Sequence, residues 1–261
     1  KLFDCFMYNN EDLLLELRLN ILDKMVFKFI IVESRYDHQG NKKELKFKIE
    51  KFELFKHKIK YIILDEFPKN LSNWERENYN RNFITTGLEE ADLDDYIMIS
   101  DIDEIPNPEK IKEFNKKNKY ACFLQNNYQS KINLLNITDN NWAGTKICKK
   151  KNLRSPQWLR NMKTKKKPFW KIFSKNIQLI NNGGWHFSFL KDPESIRDKI
   201  FSYSHQEYNT DKFTDLGQIE QRITKGEDLF CRDIIYKRVN IDETFPAYIN
   251  ENKEKFEKWI A

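Results

Sequence analysis

The sequence lacks the features that would assign it to the membrane or secreted classes of protein. No apolar run approaches the roughly 18 consecutive residues that a membrane-spanning helix requires. No signal-peptide pattern is visible, because the chain opens directly into a strand-like segment. We therefore expect a cytoplasmic location, with at most peripheral contact at the inner face of a membrane.

Cysteine is scarce, and its spacing excludes the usual cysteine-based sites. The four cysteines lie far apart, with no CxxC pair and no histidine at zinc-finger spacing. The expectation that follows is free, mostly buried thiols in a reducing compartment. The cysteines are Cys5, Cys122, Cys148 and Cys231.

Phosphate-loop and nucleophile motifs are missing too. The chain contains no Walker loop, no GxGxxG turn and no GxSxG elbow, so nothing in it favours the chemistries that depend on them.

Its 46 Lys and Arg residues exceed its 40 Asp and Glu residues by a formal charge of +6, which is spread along the chain. That balance permits an anionic ligand but does not indicate a nucleic-acid partner, and we expect none.

What the sequence does contain is enough apolar material for one sizeable domain. It has 261 residues, of which 39% are hydrophobic, with 20 Phe, 11 Tyr and 6 Trp. Neither an internal repeat nor a convincing linker interrupts the chain. We therefore expect a single folded domain over residues 1–261.

Strand and helix patterns alternate through the first hundred residues, and this alternation predicts an α/β fold with a parallel sheet. A ligand site is expected at the carboxyl ends of its strands. The apolar, strand-like runs span 2–8, 26–32, 59–64 and 96–99. The helical stretches span 13–22, 46–55 and a segment from the Ser72–Glu75 capping box to about residue 91.

The second half mixes further strands and helices with basic, Asn-rich loops. Helices are predicted after the Asn107-Pro108 and Asp192-Pro193 caps and at 216–223. The strand-like stretches span 121–124, 170–173, 177–180 and 186–190.

Residues 96–106 carry the main candidate site. Four mostly apolar residues are followed by Ser100 and then by Asp101, Asp103 and Glu104. In an extended backbone Asp101 and Asp103 point to the same side, where two carboxylates repel each other unless a cation lies between them. Such hard oxygen ligands suit Mn²⁺ or Mg²⁺, completed by diphosphate oxygens and water. The alternative is a chance Asp-x-Asp with no ligand.

Other candidates lie at strand ends and on helices. The imidazole of His186, after two glycines that allow a close backbone approach, can complete a Mn²⁺ site, and a half-buried structural histidine is the alternative. Glu33 and Ser34 end the second predicted strand, where Glu33 is placed to meet a nucleobase or ribose. Arg76 and Arg81 can grip phosphate in a fork, and exposed ion pairs are the alternative there.

Glu227 and Asp228 form a carboxylate pair after a glycine at the end of a predicted helix. A pair at this position can supply a general base or simply cap a turn, and both interpretations stay open. His38 and His57 are expected in a loop and on the surface, and His205 is another candidate site residue.

Four segments, in the same order along the chain, resemble glycosyltransferase family 17. The resemblance covers roughly residues 1–235, and its third and fourth segments are the specific ones. The family includes enzymes that add a β-1,4-linked N-acetylglucosamine to N-glycan cores. The segments are Val32-Glu-Ser34 with His38-x-Gly40 and Lys43; Trp74-Glu-Arg-Glu with Arg81-Asn; Ile99-Ser-Asp-Ile-Asp-Glu-Ile-Pro106; and Gly183-Gly-Trp-His-Phe-Ser188.

The resemblance implies a GT-A fold, with a nucleotide-sugar-binding half at about residues 1–120 and an acceptor half at about 121–261. It also implies an inverting transfer from a UDP-sugar, expected to be UDP-N-acetylglucosamine, to a glycan, polysaccharide or glycolipid. Asp101 and Asp103 match the family's metal motif, and ligation by His186 follows by analogy with other GT-A enzymes. The donor-binding residues would be Glu33, Ser34, Arg76, Arg81, Ser100 and Asp101.

An inverting transfer requires a carboxylate that takes the proton of the acceptor hydroxyl. We expect Asp228 or Glu227 in this role, with Glu104 as the third candidate, although residues 226–230 differ from the animal relatives' local sequence. Two other classes of function would use the same residues. One is a metal-dependent nucleotide-sugar hydrolase or pyrophosphatase, and the other is a non-catalytic protein that binds a sugar nucleotide or polysaccharide.

Overall fold

The computed structural model describes residues 1–164, 177–202 and 206–261. These residues form a mixed α/β structure around a sheet of 11 strands, which confirms the predicted α/β class. The strands are β1 (Leu2–Met7), β2 (Lys28–Ser34), β3 (Ile59–Leu64), β4 (Tyr96–Ile99), β5 (Glu104–Pro106), β6 (Tyr120–Gln129), β7 (Leu134–Asn136), β8 (Trp142–Lys149), β9 (Ile177–Ile180), β10 (Gly184–Ser188) and β11 (Tyr236–Arg238).

Helices cover both faces of this sheet. The α-helices are α1 (Asp12–Leu22), α2 (Asn73–Phe83), α3 (Pro108–Ile111), α4 (Pro156–Arg160), α5 (Pro193–Ser202), α6 (Asp211–Thr214), α7 (Leu216–Lys225) and α8 (Ala247–Glu251). More tightly wound 3₁₀ helices span Ile49–Lys58, Ile84–Gly87, Lys150–Asn152, Gln206–Tyr208 and Lys253–Trp259.

The strand order brings the carboxyl ends of four parallel strands to one edge of the sheet. Along the sheet the order is β11-β7-β6-β8-β4-β1-β2-β3. Strand β1 pairs in parallel with β2 and β4, and β2 pairs in parallel with β3, as the alternating pattern predicted. Pairing becomes antiparallel where β8 meets β4 and β6. Strand β10 lies parallel to β6 and antiparallel to β5, and it carries His186.

Strand β1 separates two apolar cores. Its side chains alternate with period two, so that Phe3 and Cys5 face one core while Leu2 and Phe6 face the other, against α1. Asp4 lies on the α1 side of the same strand, fully buried. An acidic residue at this position needs a partner from α1, because an unpaired buried charge is strongly unfavourable.

The structure differs from the predicted elements mainly at their boundaries. The capping box is confirmed, because Ser72 and Glu75 exchange hydrogen bonds at the start of α2. The predicted helix to about residue 91 is too long, since α2 ends at Phe83 and a 3₁₀ turn follows. In that turn Gly87 packs so closely on the sheet that a Cβ atom would lie 2.4 Å from Ile30.

Two other boundaries differ as well. The stretch predicted as a helix at 46–55 is the 3₁₀ helix Ile49–Lys58, and the strand predicted at 121–124 is part of the longer β6. The predicted helix after Asp192 is confirmed, with Asp192 Oδ1 accepting from Ser195 N at 2.9 Å. The predicted strand at 170–173 and the candidate His205 lie outside the described residues.

The thiols agree with their prediction. Cys5, Cys122 and Cys148 are buried and free, and Cys231 is free and exposed. In the described part of the chain, no helix combines the length and apolar character needed to cross a bilayer.

Candidate functional site

A pocket of about 350 Å³ lies at the carboxyl ends of β1, β2 and β4. Open α/β sheets place their ligands at this edge, because the chain segments that leave parallel strands meet there. Its wall includes residues 7–9 at the end of β1, residues 34 and 36–38 at the end of β2, and residues 101–103 after β4. Side chains from α2, β8, β10 and α5 close the remaining sides.

Residues 101–104, here called the aspartate turn, form part of this wall. The sequence predicted an extended backbone at this point, and that prediction is wrong: the chain turns, and Glu104 N donates to Asp101 O at 3.1 Å. The turn is needed because β4 ends at Ile99 and the chain must change direction to enter β5, which pairs with β10. Asp101 and Asp103 nevertheless reach the same pocket.

Asp101 is held between two arginines. Arg81 Nη2, from α2, donates to Asp101 Oδ1 at 2.9 Å, and Arg160 Nη2, from α4, donates to Oδ2 at 2.9 Å. Burial favours the neutral carboxyl group, but the charges of Arg160 and Arg81 outweigh burial and hold the pKa of Asp101 well below its ordinary value. Asp101 is therefore a carboxylate whose two oxygens both have protein donors.

Glu104, the third candidate for the general base, is fully buried behind the turn. Its Oε1 accepts from Trp142 Nε1 at 2.6 Å and from Arg160 Nη2 at 2.5 Å, and its Oε2 accepts from Asp101 N at 3.1 Å. Glu104 lies outside the pocket lining. Oε2 holds the turn directly and Oε1 is taken by Trp142 and Arg160, so the structure gives Glu104 a structural position and no route to an acceptor hydroxyl.

Asp103 and His186 face each other in the pocket. Asp103 Oδ2 lies 3.8 Å from His186 Nε2 and 3.7 Å from Lys199 Nζ, on α5. His186 Nδ1 lies 3.0 Å from Asn127 Oδ1 on the neighbouring strand. Asn127 Oδ1 can only accept a hydrogen bond, so the His186 tautomer with its proton on Nδ1 fits this contact and leaves Nε2 on the side of Asp103.

Asp103 and His186 could hold a divalent cation more readily than Asp101 could. Asp103 Oδ2 and His186 Nε2 lie 3.8 Å apart in the pocket, whereas both Asp101 oxygens accept hydrogen bonds from arginines. Within the described ranges, no group of three or more His, Cys, Asp or Glu residues is spaced to hold a metal. Two protein ligands suit Mn²⁺ or Mg²⁺ when a diphosphate and water supply the rest.

The predicted donor-binding residues divide into two groups. Ser34, Arg81 and Asp101 line the pocket. Arg76 lies outside it and bridges α2 to the loop after β2, with Nη1 donating to His38 O at 3.2 Å. Ser100 is buried behind the aspartate turn.

Glu33 also lies outside the pocket lining, because it organises a neighbouring loop. It is fully buried, and its Oε1 accepts from Lys46 N at 2.8 Å and Lys43 Nζ at 3.3 Å. Its Oε2 accepts from Phe47 N at 3.1 Å and Tyr61 Oη at 2.8 Å. With four donors on one carboxylate, Glu33 fixes residues 43–47 and is not placed to meet a nucleobase or ribose.

The two main candidates for the general base also lie apart from the pocket lining. Glu227 is exposed, and Asp228 is buried beside Arg232, whose Nη2 donates to Asp228 Oδ1 at 2.7 Å. Burial raises the pKa of Asp228, but Arg232 outweighs it and keeps the pKa below its ordinary value. A carboxylate stabilised in this way is a poor proton acceptor.

The pocket contains residues that the sequence did not single out. His38 does lie in a loop, as predicted, but it lines the pocket, and burial holds its pKa below the ordinary value. Glu11, Asp37 and Glu77 add three carboxylates to the lining. Their position after a predicted strand could have indicated Asp37 and His38 as pocket residues, because they follow the end of β2 just as Asp101 follows β4.

Together, the sheet and the pocket define an α/β protein of the kind that takes its ligand at the carboxyl edge of parallel strands. The chain belongs to glycosyltransferase family 17, whose family model matches residues 1–259. The resemblance predicted from the four sequence segments is thereby confirmed.

Curated relatives carry a more specific name. Over 108 residues the chain is 34% identical to the beta-1,4-mannosyl-glycoprotein 4-beta-N-acetylglucosaminyltransferase of Homo sapiens and to that of Rattus norvegicus. It is 33% identical to the Mus musculus protein of the same name over the same length. The aligned segment covers 38% of this chain and only 20% of each relative.

Proposed function

We propose that this chain is a metal-dependent inverting glycosyltransferase of GT-A type. It would transfer N-acetylglucosamine from a UDP-sugar to a hydroxyl group of a glycan, polysaccharide or glycolipid. The observation that carries the proposal is the meeting of Asp101, Asp103 and His186 in one pocket at the carboxyl ends of parallel strands. The family and the printed names of the relatives support the reaction and the sugar.

The donor would lie along the edge of the sheet. Its nucleoside would occupy the end of the pocket formed after β1 and β2, where Ser34 and Tyr36 line the wall. Its diphosphate would lie near Arg81 and Lys199, the cationic side chains on either side of the aspartate turn. This orientation directs the sugar toward β10 and Trp142.

The metal would be held by Asp103 and His186, with Lys199 offsetting part of the carboxylate charge. When bound, the ion supplies Lewis-acid stabilisation of the charge that develops on the departing UDP. Asp101 would act beside it by aligning Arg81 through their 2.9 Å hydrogen bond. The predicted ligation of the metal by Asp101 itself would require that bond or the one to Arg160 to open.

The proton of the acceptor hydroxyl requires a carboxylate within reach. Glu11, Asp37 and Glu77 line the pocket, while Glu104, Glu227 and Asp228 lie outside its lining. We therefore place the general base among Glu11, Asp37 and Glu77. Glutamine or asparagine at the correct position should abolish transfer and leave UDP binding intact, which distinguishes a base from a binding residue.

The decisive experiment measures UDP release from UDP-N-acetylglucosamine, with MnCl₂ or EDTA, with and without an acceptor panel of glycans and glycolipids. The proposal expects release that needs Mn²⁺, depends on an acceptor and is lost in Asp103→Asn. Acceptor-independent release of sugar or phosphate would identify the hydrolase or pyrophosphatase class. Tight UDP binding without turnover on any acceptor would identify the non-catalytic class.

A further inference from the structure

Arg18 is the largest fully buried side chain of the described residues, and it lies on α1 behind the aspartate turn. A buried guanidinium is stable only if its five N–H groups find acceptors, and here all of them do. The Arg18 Nε donates to Asp4 Oδ2 at 2.7 Å. Its Nη2 donates to Asp4 Oδ1 at 2.6 Å and to Ser100 Oγ at 2.5 Å. Its Nη1 donates to the carbonyl oxygens of Asp101 at 3.1 Å, Ile102 at 3.3 Å and Glu104 at 2.9 Å.

These contacts orient the aspartate turn. Three of its four carbonyl oxygens point inward to a single nitrogen of Arg18. The side chains of Asp101 and Asp103 therefore project to the opposite side, into the pocket. Removing the guanidinium would take one donor from each of these three buried oxygens. Asp101 O would keep its bond from Glu104 N at 3.1 Å and Glu104 O its bond from Thr145 Oγ1 at 2.8 Å, so Ile102 O would be the most affected.

Asp4 connects this arrangement to the centre of the sheet. It belongs to β1, where it pairs with Phe29 of β2 on one side and Met98 of β4 on the other. Both of its oxygens are bound to Arg18, and the guanidinium also lies over the ring of Phe6, 4.6 Å from the ring centroid. The turn is thus held against β1, a strand that has a hydrogen-bonded neighbour on each side.

We propose that Arg18, held by Asp4, is a positioning residue that sets Asp101 and Asp103 for the binding of UDP with a divalent cation. The inference rests on the proposed function. Arg18 lies outside the pocket lining and would act only through the backbone of the turn. Lysine cannot replace it, because an ammonium group has three donors and no planar fork.

The test compares Arg18→Lys with a matched control, Arg222→Lys. Arg222 is also buried, and its Nη1 also donates to two carbonyl oxygens, those of Lys212 at 3.0 Å and Leu229 at 3.3 Å. It lies outside the pocket lining. Three quantities are measured for each full-length variant: the melting temperature, the hydrogen exchange of residues 100–104 without ligand, and the Kd for UDP in MnCl₂ by calorimetry.

Arg18→Lys is expected to accelerate exchange in the turn and to weaken UDP binding by roughly 10- to 100-fold, as for other residues that orient a metal site. Arg222→Lys is expected to lower the melting temperature without changing the hydrogen exchange of the turn or the Kd for UDP. Ser100→Ala, which removes a single acceptor of Arg18, should shift both quantities in the same direction by a smaller amount. If Arg18→Lys does not fold, the exchange and the Kd of Ser100→Ala test the positioning role of Arg18.

Two results would overturn the proposal. One is a folded Arg18→Lys, or failing that Ser100→Ala, with wild-type exchange and wild-type Kd. The other is a loss of UDP affinity in Arg222→Lys equal to that in Arg18→Lys, which would mark general destabilisation. If the wild-type protein does not bind UDP with Mn²⁺, the proposed function has failed, and the exchange of the turn alone decides the positioning role of Arg18.

Discussion

The imidazole of His186 lies flat against the indole of Trp142, with ring centroids 4.4 Å apart and planes inclined by 17°. The indole is itself fixed, because its Nε1 donates to Glu104 Oε1 at 2.6 Å. Stacking restricts rotation of the imidazole, so Nε2 stays directed at Asp103. The indole thus helps to hold this nitrogen on the side of Asp103.

Asn127→Ala should weaken the dependence of UDP binding on Mn²⁺. The amide oxygen of Asn127 is the partner of His186 Nδ1, and losing such a partner typically costs 10- to roughly 100-fold in metal affinity. The measurement is a Mn²⁺ titration of UDP binding. Asn126→Ala is the control, because the adjacent β6 side chain lines a separate cleft. Equal losses in the two variants would contradict the assigned orientation of His186.

Asp103→Asn and Asp101→Asn should separate metal binding from stability. Asp103→Asn removes the anionic atom that faces His186 and should weaken Mn²⁺-dependent UDP binding by about 100-fold or more. Asp101→Asn leaves Arg81 and Arg160 without their shared carboxylate. The Asp101→Asn substitution should lower the free energy of unfolding by about 2 kcal/mol. This loss is smaller than the loss on breaking a fully buried ion pair, because the Asp101 side chain is 34% exposed.

Denaturant unfolding and UDP calorimetry on the same samples would check this pair of variants. If Asp103→Asn proved the less stable of the two while retaining its Mn²⁺-dependent affinity, the proposed division of roles between the aspartates would be wrong.

His38 should make the protein less stable as the pH falls below about 6.5. Burial keeps the pKa of His38 below its ordinary value in the folded state, with Glu77, Asp37 and Asp101 opposing that shift and Arg81 adding to it. Between the two pKa values the unfolded chain binds the proton and the folded chain does not. The contribution of His38 to the stability of the fold is thus fully present above the pKa that His38 has in the unfolded chain. It is lost as the pH falls through the lower pKa that His38 has in the folded chain.

The check is the denaturant midpoint at pH 7.5 and 5.5 for the wild type and for His38→Gln. The variant should lose less stability than the wild type across this interval, since glutamine does not titrate. An identical loss in both proteins would show that His38 takes up its proton equally in the folded and unfolded states.

Gly87→Ala should destabilise the fold by roughly 2 kcal/mol through overpacking. A Cβ atom at this position would lie 2.4 Å from Ile30 Cγ2 and 2.5 Å from Ile62 Cδ1. Gly217→Ala is the matched control on α7, where the nearest atom to a Cβ would be 3.4 Å away. That change should be neutral or stabilising by up to about 1 kcal/mol, because alanine favours a helix. Thermal unfolding of both variants measures the difference.

Local patterns predicted the elements that position the pocket. The apolar run before Asp101 marked β4, the Ser72–Glu75 box marked the start of α2, and the alternation of strands and helices marked a parallel sheet. These predictions succeeded because burial and capping depend on residues close together in the chain. The helix to about residue 91 failed because Gly87 is fitted to Ile30, a contact across 57 positions that no local pattern encodes.

The use of each carboxylate could not be predicted in the same way. The sequence shows four similar carboxylates, but the structure gives them different donors. Asp101 and Glu104 share Arg160, Glu33 accepts from Lys46 N, and Asp228 accepts from Arg232. The partners come from α4, from the loop after β2 and from the segment after α7. Whether a carboxylate lines a pocket or fixes a loop is decided by which distant donors fold against it.

The sequence alone thus determined the α/β class, the family, and Asp101, Asp103 and His186 as the centre of interest. It determined them because strand periodicity and short motifs are local properties of the chain. Only the tertiary structure decided that residues 101–104 turn, that Asp101 pairs with Arg81 and Arg160, and that Asp103 faces His186. The physical reason is that buried charges need partners, and in this fold the partners lie on other strands and helices.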